Sequence, residues 1–96
     1  MKKVIRDERY STIMDVEHAS GLIRYISDHG EAMAFELRNI IPTYDRMKRT
    51  MEDLSDNGLV TIEYIERPRI TYKYRLTKKG EMVAVKLKEL DELIRS

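Results

Sequence analysis

Residues 42–80 read PTYDRMKRTMEDLSDNGLVTIEYIERPRITYKYRLTKKG, and the order of structural signals within them decides the fold. Pro42 stops any helix that precedes it, and Thr43 stands where an N-cap belongs, with Asp45 placed to complement the dipole of the helix that follows. Met47, Met51 and Leu54 fall on one stripe of that helix. The spacing carries it to about Asn57, where Gly58 supplies a left-handed stop. From Leu59 to Glu66 and from Ile70 to Thr77, β-branched and tyrosyl residues dominate, with Arg67-Pro68-Arg69 as the turn between the two runs. Thr77 then caps a last helix that meets no breaker except Gly80 before about Ile94.

Toward the N-terminus, Val16, Ala19, Leu22, Ile23 and Ile26 recur at helical spacing between Asp15 and His29, and Gly30 ends that helix. Ala32 to Ile41 carries Met33, Phe35, Leu37, Ile40 and Ile41 in a segment that predicts one short second helix, closed by Pro42. Residues 2–12 alternate charge and apolarity without a period, which leaves a short helix and an ordered arm both open. No repeat or low-complexity tract interrupts the chain. The expectation is a single α+β domain over 1–96, with three helices and a ribbon in 12–77 and a C-terminal helix in 78–96.

The chain of 96 residues is 36% charged and 42% apolar. The charged share exceeds the usual value of about 25%, while the apolar share is ample for a core, so a compact and heavily charged domain is expected. There is no cysteine, which removes disulfides and thiolate metal sites. No signal peptide and no membrane-spanning run is evident, so a cytoplasmic protein without a membrane partner is expected. His18 and His29, eleven residues apart on one helix, lie about 16 Å apart along its axis and cannot share a metal ion. Nothing resembles a nucleophile, a phosphate loop or a dinucleotide fingerprint. The chain is expected to have no catalytic residues, no metal and no cofactor, and no residue pattern specifies a small-molecule effector.

The net charge of +1 argues against indiscriminate binding of polyanions, so the distribution of charge carries the case. Between Arg67 and Lys79 stand Arg67, Arg69, Lys73, Arg75, Lys78 and Lys79 with no acid among them, whereas acids gather at Glu52, Asp53 and Asp56 and in the tail. Projected at about 100° per residue, the helix over 43–57 turns Asp45, Arg46, Lys48 and Arg49 outward, so its first two turns are the part that phosphate would not repel. A positive helix end beside a positive ribbon suits duplex DNA. The helix would enter the major groove and the ribbon tip, residues 66–70, would meet the minor groove or backbone.

Arg46 and Arg49 suit bidentate reading of guanine O6 and N7, Thr43 and Tyr44 suit phosphate, and Lys48, Arg67, Arg69 and Lys73 complete the candidate DNA-binding set. Plainer roles stand beside these: a solvated helix face for the first group, part of the core for Tyr44, and blunting of an exposed hairpin for Arg67 and Arg69. Tyr72 and Tyr74 share the face of Ile70 and Leu76 and are expected to pack the ribbon onto the domain, with Tyr25 and Tyr64 at the edge of the core.

Met82, Val83, Ala84 and Val85 are apolar almost all round the last helix, so that turn is expected to be enclosed by the first helix. Val83, Leu87, Leu90 and Ile94 repeat at four, three and four, a narrow seam that wants another helix. A homodimer is expected through it, because roughly 18 helical residues extend about 27 Å, farther than a small body covers. Packing on its own domain is the other possibility.

Two pieces of this chain carry a resemblance. Leu54-Ser55-Asp56-Asn57-Gly58-Leu59-Val60 is similar to the end of the recognition helix in families of the MarR, HxlR and PadR type. Tyr74-Arg75-Leu76-Thr77-Lys78-Lys79-Gly80 is similar to the way those families close their wing. Over about 15–80 the chain thus resembles a winged helix-turn-helix transcription regulator, and its small size and single C-terminal helix also resemble archaeal winged-helix proteins that dimerise through such a helix. The resemblance implies a three-helix core, a β-hairpin wing and a C-terminal dimerisation helix, acting as a homodimeric, sequence-specific regulator on double-stranded DNA. An architectural chromatin protein of the same shape is the nearest alternative. A winged helix used only for protein contact is another, kept open by the near-zero net charge.

Overall fold

A computed structural model describes residues 9–96. The short helix or arm expected over residues 2–12 lies mainly outside the described residues. A 3-10 turn at Ile13–Asp15 leads into α1 (Ala19–His29), β1 (Ala32–Met33), α2 (Ala34–Leu37), α3 (Tyr44–Asp56), β2 (Val60–Ile65), β3 (Thr71–Leu76) and α4 (Lys78–Arg95). Among the described residues no helix is long and apolar enough to cross a membrane.

The first two helices differ from the sequence expectation, each for a local reason. Thr12 accepts from the Met14 N–H at 3.0 Å while Asp15 accepts from the Thr12 N–H at 3.0 Å. That reciprocal capping isolates residues 13–15 as a separate turn. His18 then adopts φ 68°, outside helical space, and α1 begins only at Ala19.

Ala32 and Met33, expected in the second helix, instead form an edge strand, with Ala32 opposite Tyr74 and Met33 opposite Lys73. The helix starts behind them because the Glu36 carboxylate accepts from the Met33 N–H at 2.7 Å, satisfying a donor that helix geometry leaves over. The other oxygen of Glu36 accepts from the Tyr25 hydroxyl at 3.0 Å, which ties α2 to α1 and raises the pKa of Tyr25.

The sheet runs β1-β3-β2 with β3 central, and the ribbon pairs antiparallel from Val60 opposite Leu76 to Ile65 opposite Thr71. Leu22, Ile23 and Ile26 of α1, Leu37 of α2 and Met47, Met51 and Leu54 of α3 are fully buried together with Tyr74. Loss of water contact pushes the Tyr74 hydroxyl pKa upward, helped by neighbouring Tyr44, Tyr72 and Glu52. The alternation of β3 therefore buries its base as expected, but not its tip. Ile70 is 68% exposed and Tyr64 51%, because the hairpin runs past the helices that cover its lower half.

The two motifs singled out in the sequence are the two sides of one joint. At the end of α3, Gly58 takes φ 75°, its N–H donates to the Ser55 carbonyl at 2.9 Å, and the Leu59 N–H donates to Leu54 at 3.0 Å. These bonds satisfy carbonyls that the last turn leaves free, and they press Leu59 onto Leu54 in the core. At the start of α4, the Thr77 hydroxyl accepts from Gly80 N–H at 2.9 Å and donates to the Gly58 carbonyl at 2.6 Å. The Thr77 N–H donates to Leu59 at 3.0 Å. Gly80 is buried against that Leu59 carbonyl so closely that a Cβ would collide with it, which explains a glycine in the first turn of a helix.

Along α4 only Gly80 and Ala84 are buried. The expected enclosure of Met82–Val85 does not occur, since Met82 and Val85 are exposed while Val83 turns inward. A single neighbouring helix covers one stripe of α4, not its circumference. The architecture is that of an α+β winged helix-turn-helix: α1 to α3 form the helical core, β2 and β3 the wing, and α4 lies along α1.

Candidate nucleic-acid interface

The buried stripe of α3 orients its remaining faces. With Met47, Thr50, Met51 and Leu54 inward, Tyr44, Asp45, Arg46 and Arg49 are exposed and Lys48 is half-buried. Thr43 stands at the N-cap position with extended backbone, as expected, but its side chain makes no capping bond.

The cations differ in what holds them. Arg46 lies 3.7 Å from the Glu17 carboxylate, both largely exposed. The Lys48 ammonium sits 5.2 Å from the centroid of the Tyr72 ring, a cation–π contact that ties α3 to the wing. Its pKa is raised, mainly by the neighbouring Tyr72 hydroxyl. On the other side of β3, Glu31 lies 2.8 Å from Arg75 and 3.6 Å from Lys73. The hydrogen bond from Arg75 and the nearby Lys73 hold the Glu31 carboxyl below its ordinary range against the opposing effect of partial burial. The stretch from Arg67 to Lys79 is thus free of acid along the chain but not in space, and Lys73 is partly neutralised. Lys79 donates to the Asn57 carbonyl at 3.2 Å. Arg49, Arg67 and Arg69 form no ion pair among the described residues.

The wing tip and the start of α3 face one space. A cavity of about 340 Å³ is lined by Phe35 of α2, Arg38 just after that helix, Tyr44 of α3, and Arg69 and Ile70 of the wing. A second, of about 510 Å³, is lined by Met33, Phe35 and Ile65 together with Arg67 and Arg69, and by the Glu31–Lys73 pair. Arg38, Glu31 and Glu17 were not singled out from sequence. Nothing in their local pattern marks them, because each acquires its meaning only from a residue brought near by the fold. The exposure of Phe35, 70%, is likewise invisible to a pattern that counts it among the apolar residues of a helix.

At the opposite side of the molecule, the seam expected along α4 is divided. Val83 and Leu87 are half-buried and pack on the protein's own core. Leu90 and Ile94 remain exposed, as do Leu93, Met82 and Val85. Asp91 pairs with Arg24 of α1 at 3.3 Å and accepts from Arg95 at 3.0 Å, which fixes the rotation of α4 against α1.

No family model matches the chain, and no curated protein matches its sequence. Solved structures do match its fold. A transcriptional regulator homologue from Pyrococcus horikoshii OT3 superposes with a TM-score of 0.75 at 18% identity, over 91% of this chain and 89% of that one. FabT of Streptococcus pneumoniae, in complex with DNA, gives a TM-score of 0.70 at 18% identity over 90% of this chain and 62% of that one. A mutant MarR from E. coli complexed with operator DNA gives 0.66 at 13% identity over 81% of this chain and 59% of that one. These likenesses establish the winged-helix fold.

Proposed function

We propose that the protein is a sequence-specific double-stranded DNA-binding transcription regulator that works as a homodimer in the cytoplasm. The observation that carries this reading is the shared face of α3 and the wing: Arg46 and Arg49 project from the front of α3, Tyr44 and Arg69 line one cavity, and Arg49, Arg67 and Arg69 have no acidic partner among the described residues. In this reading α3 enters the major groove, Arg46 and Arg49 meet base edges, and Arg67 and Arg69 hold the minor groove or backbone. Thr43, Tyr44, Lys48 and Lys73 contribute phosphate contacts. The DNA complexes among the structures of the same fold support it.

The homodimer reading rests on α4. Leu90, Leu93 and Ile94 leave an apolar surface on a helix that its own domain covers along only one stripe, and an isologous helix pair is the simplest way to remove it from water. Val83 and Leu87 then form the floor of the seam. The test is selection of bound duplexes from random DNA. A near-palindromic consensus with half-site centres about one helical turn or a multiple apart is expected. Uniform coating with no consensus would instead identify an architectural protein, and absence of any duplex binding a protein-contact module.

A further inference from the structure

The DNA-binding reading assigns no role to α2, yet the cavity between α2, the start of α3 and the wing is built from both charged and apolar groups. Arg38 donates from Nε to the Pro42 carbonyl at 3.3 Å, so the stem of its guanidinium is tethered while the terminal nitrogens make no hydrogen bond among the described residues. Arg38 forms no ion pair among the described residues. Arg69 reaches the same cavity from the wing, and Phe35 and Ile70, 70% and 68% exposed, flank it. Two guanidinium groups bordering a concavity that also offers an aromatic ring and an aliphatic side chain complement a chain whose repeating unit is an anion joined to a sugar with apolar C–H faces.

Resting on the proposed function, we infer that this cavity seats the sugar-phosphate backbone where it passes between the groove read by α3 and the groove met by the wing. Arg38 is a phosphate contact that works with Arg69, and Phe35 packs against deoxyribose carbons. The tethered Arg38 side chain enters the complex with part of its freedom already lost, so less is lost on binding. Because it touches backbone alone, Arg38 contributes to every sequence alike.

The experiment is a fluorescence-anisotropy titration of the full chain with its selected site and with random duplex, across a series of salt concentrations. Arg38→Ala is expected to weaken both duplexes by about the same factor, roughly tenfold at 0.1 M salt, and to reduce the log-log salt slope by about one. Arg38→Lys should restore most of the slope. Phe35→Ser should lower affinity without changing the slope, since an apolar contact releases no counterion. Neutral methylphosphonates placed singly along the site should include one that weakens the wild type and not Arg38→Ala, which identifies the phosphate. An unchanged slope in Arg38→Ala, or equal sensitivity of wild type and variant at every methylphosphonate, overturns the assignment while leaving DNA binding intact. A wild type that binds no duplex overturns both this assignment and the reading on which it rests.

Discussion

The Thr77 hydroxyl donates to the Gly58 carbonyl at 2.6 Å, joining the end of the candidate recognition helix to the start of the C-terminal helix across the whole wing. The same oxygen accepts from the Gly80 N–H at 2.9 Å, so one side chain caps α4 and fastens α3 to it. The Thr77 N–H donates to the Leu59 carbonyl at 3.0 Å, so the joint also holds the two strands of the ribbon together at their base.

The joint predicts two stability losses measurable by urea unfolding. Thr77→Val removes a cap and leaves the Gly58 carbonyl short of a donor, with an expected cost of about 0.5–2 kcal/mol. Gly80→Ala drives a methyl into the Leu59 carbonyl, and the resulting shift of α4 is expected to cost about 1–3 kcal/mol despite the better helix propensity of alanine. An alanine variant as stable as the wild type would show that the close approach is not required.

Lys48 over Tyr72 couples α3 to the wing through a ring and a charge. Tyr72→Phe keeps the ring face and is expected to bind DNA much as the wild type does, whereas Tyr72→Leu, of similar apolarity, is expected to bind several-fold more weakly. Equal affinities for the two variants would remove the cation–π contact from the account of binding.

Arg49 faces solvent without an ionic partner among the described residues, and Arg46 lies beside Glu17. Alanine at either arginine is expected to cost about 1–3 kcal/mol on the preferred site and to relax selectivity at one base pair. Glu17→Gln removes a carboxylate that repels phosphate near Arg46, so random DNA should gain more affinity than the preferred site. Selection profiles of the variants decide both points, and equal losses on specific and random DNA would reduce these arginines to phosphate neutralisers.

Glu31 makes the wing sensitive to acid. Arg75 and Lys73 lower its folded pKa, so its stabilising effect is present above the unfolded carboxylate range and is lost as pH falls through the folded value. Unfolding midpoints of Glu31→Gln should therefore fall less than those of the wild type on acidification below about pH 4.5. At neutral pH the same variant frees Lys73 and Arg75 and should steepen the salt dependence of DNA binding. Identical acid limbs and identical salt slopes would show that the pair has no role in either.

Leu90 is 52% exposed on α4 and belongs to the proposed dimer seam. Leu90→Lys would bring an ammonium to its symmetry mate, where desolvation and like charge oppose association. The variant is expected to be a folded monomer by light scattering and to bind half-sites weakly, since two linked heads multiply their affinities. A wild type that is monomeric at tens of micromolar, roughly the concentration such a measurement uses, would leave α4 to its own domain.

The helices from α3 onward and both long strands were legible in the chain, because their causes are local. Gly58 and Gly80 mark positions where a side chain is refused, Met47, Met51 and Leu54 keep a helical stripe, and Thr77 stands at the boundary between strand and helix. The outward position of Arg46 and Arg49 followed from that stripe alone. What the tertiary structure decided is where distant segments meet. Ala32 and Met33 became a strand because β3 offered an open edge, an option that no periodicity in ten residues can reveal. Ile70 stayed in water because no described residue covers the wing tip, although its alternation matches that of buried Tyr74. Glu31 neutralises Lys73 and Arg75 from more than forty residues away, and Arg38 meets Arg69 only across a cavity. Hydrogen-bonding propensity and hydrophobic period act over a few residues, whereas electrostatic partnership and exposure depend on which surfaces the fold brings together.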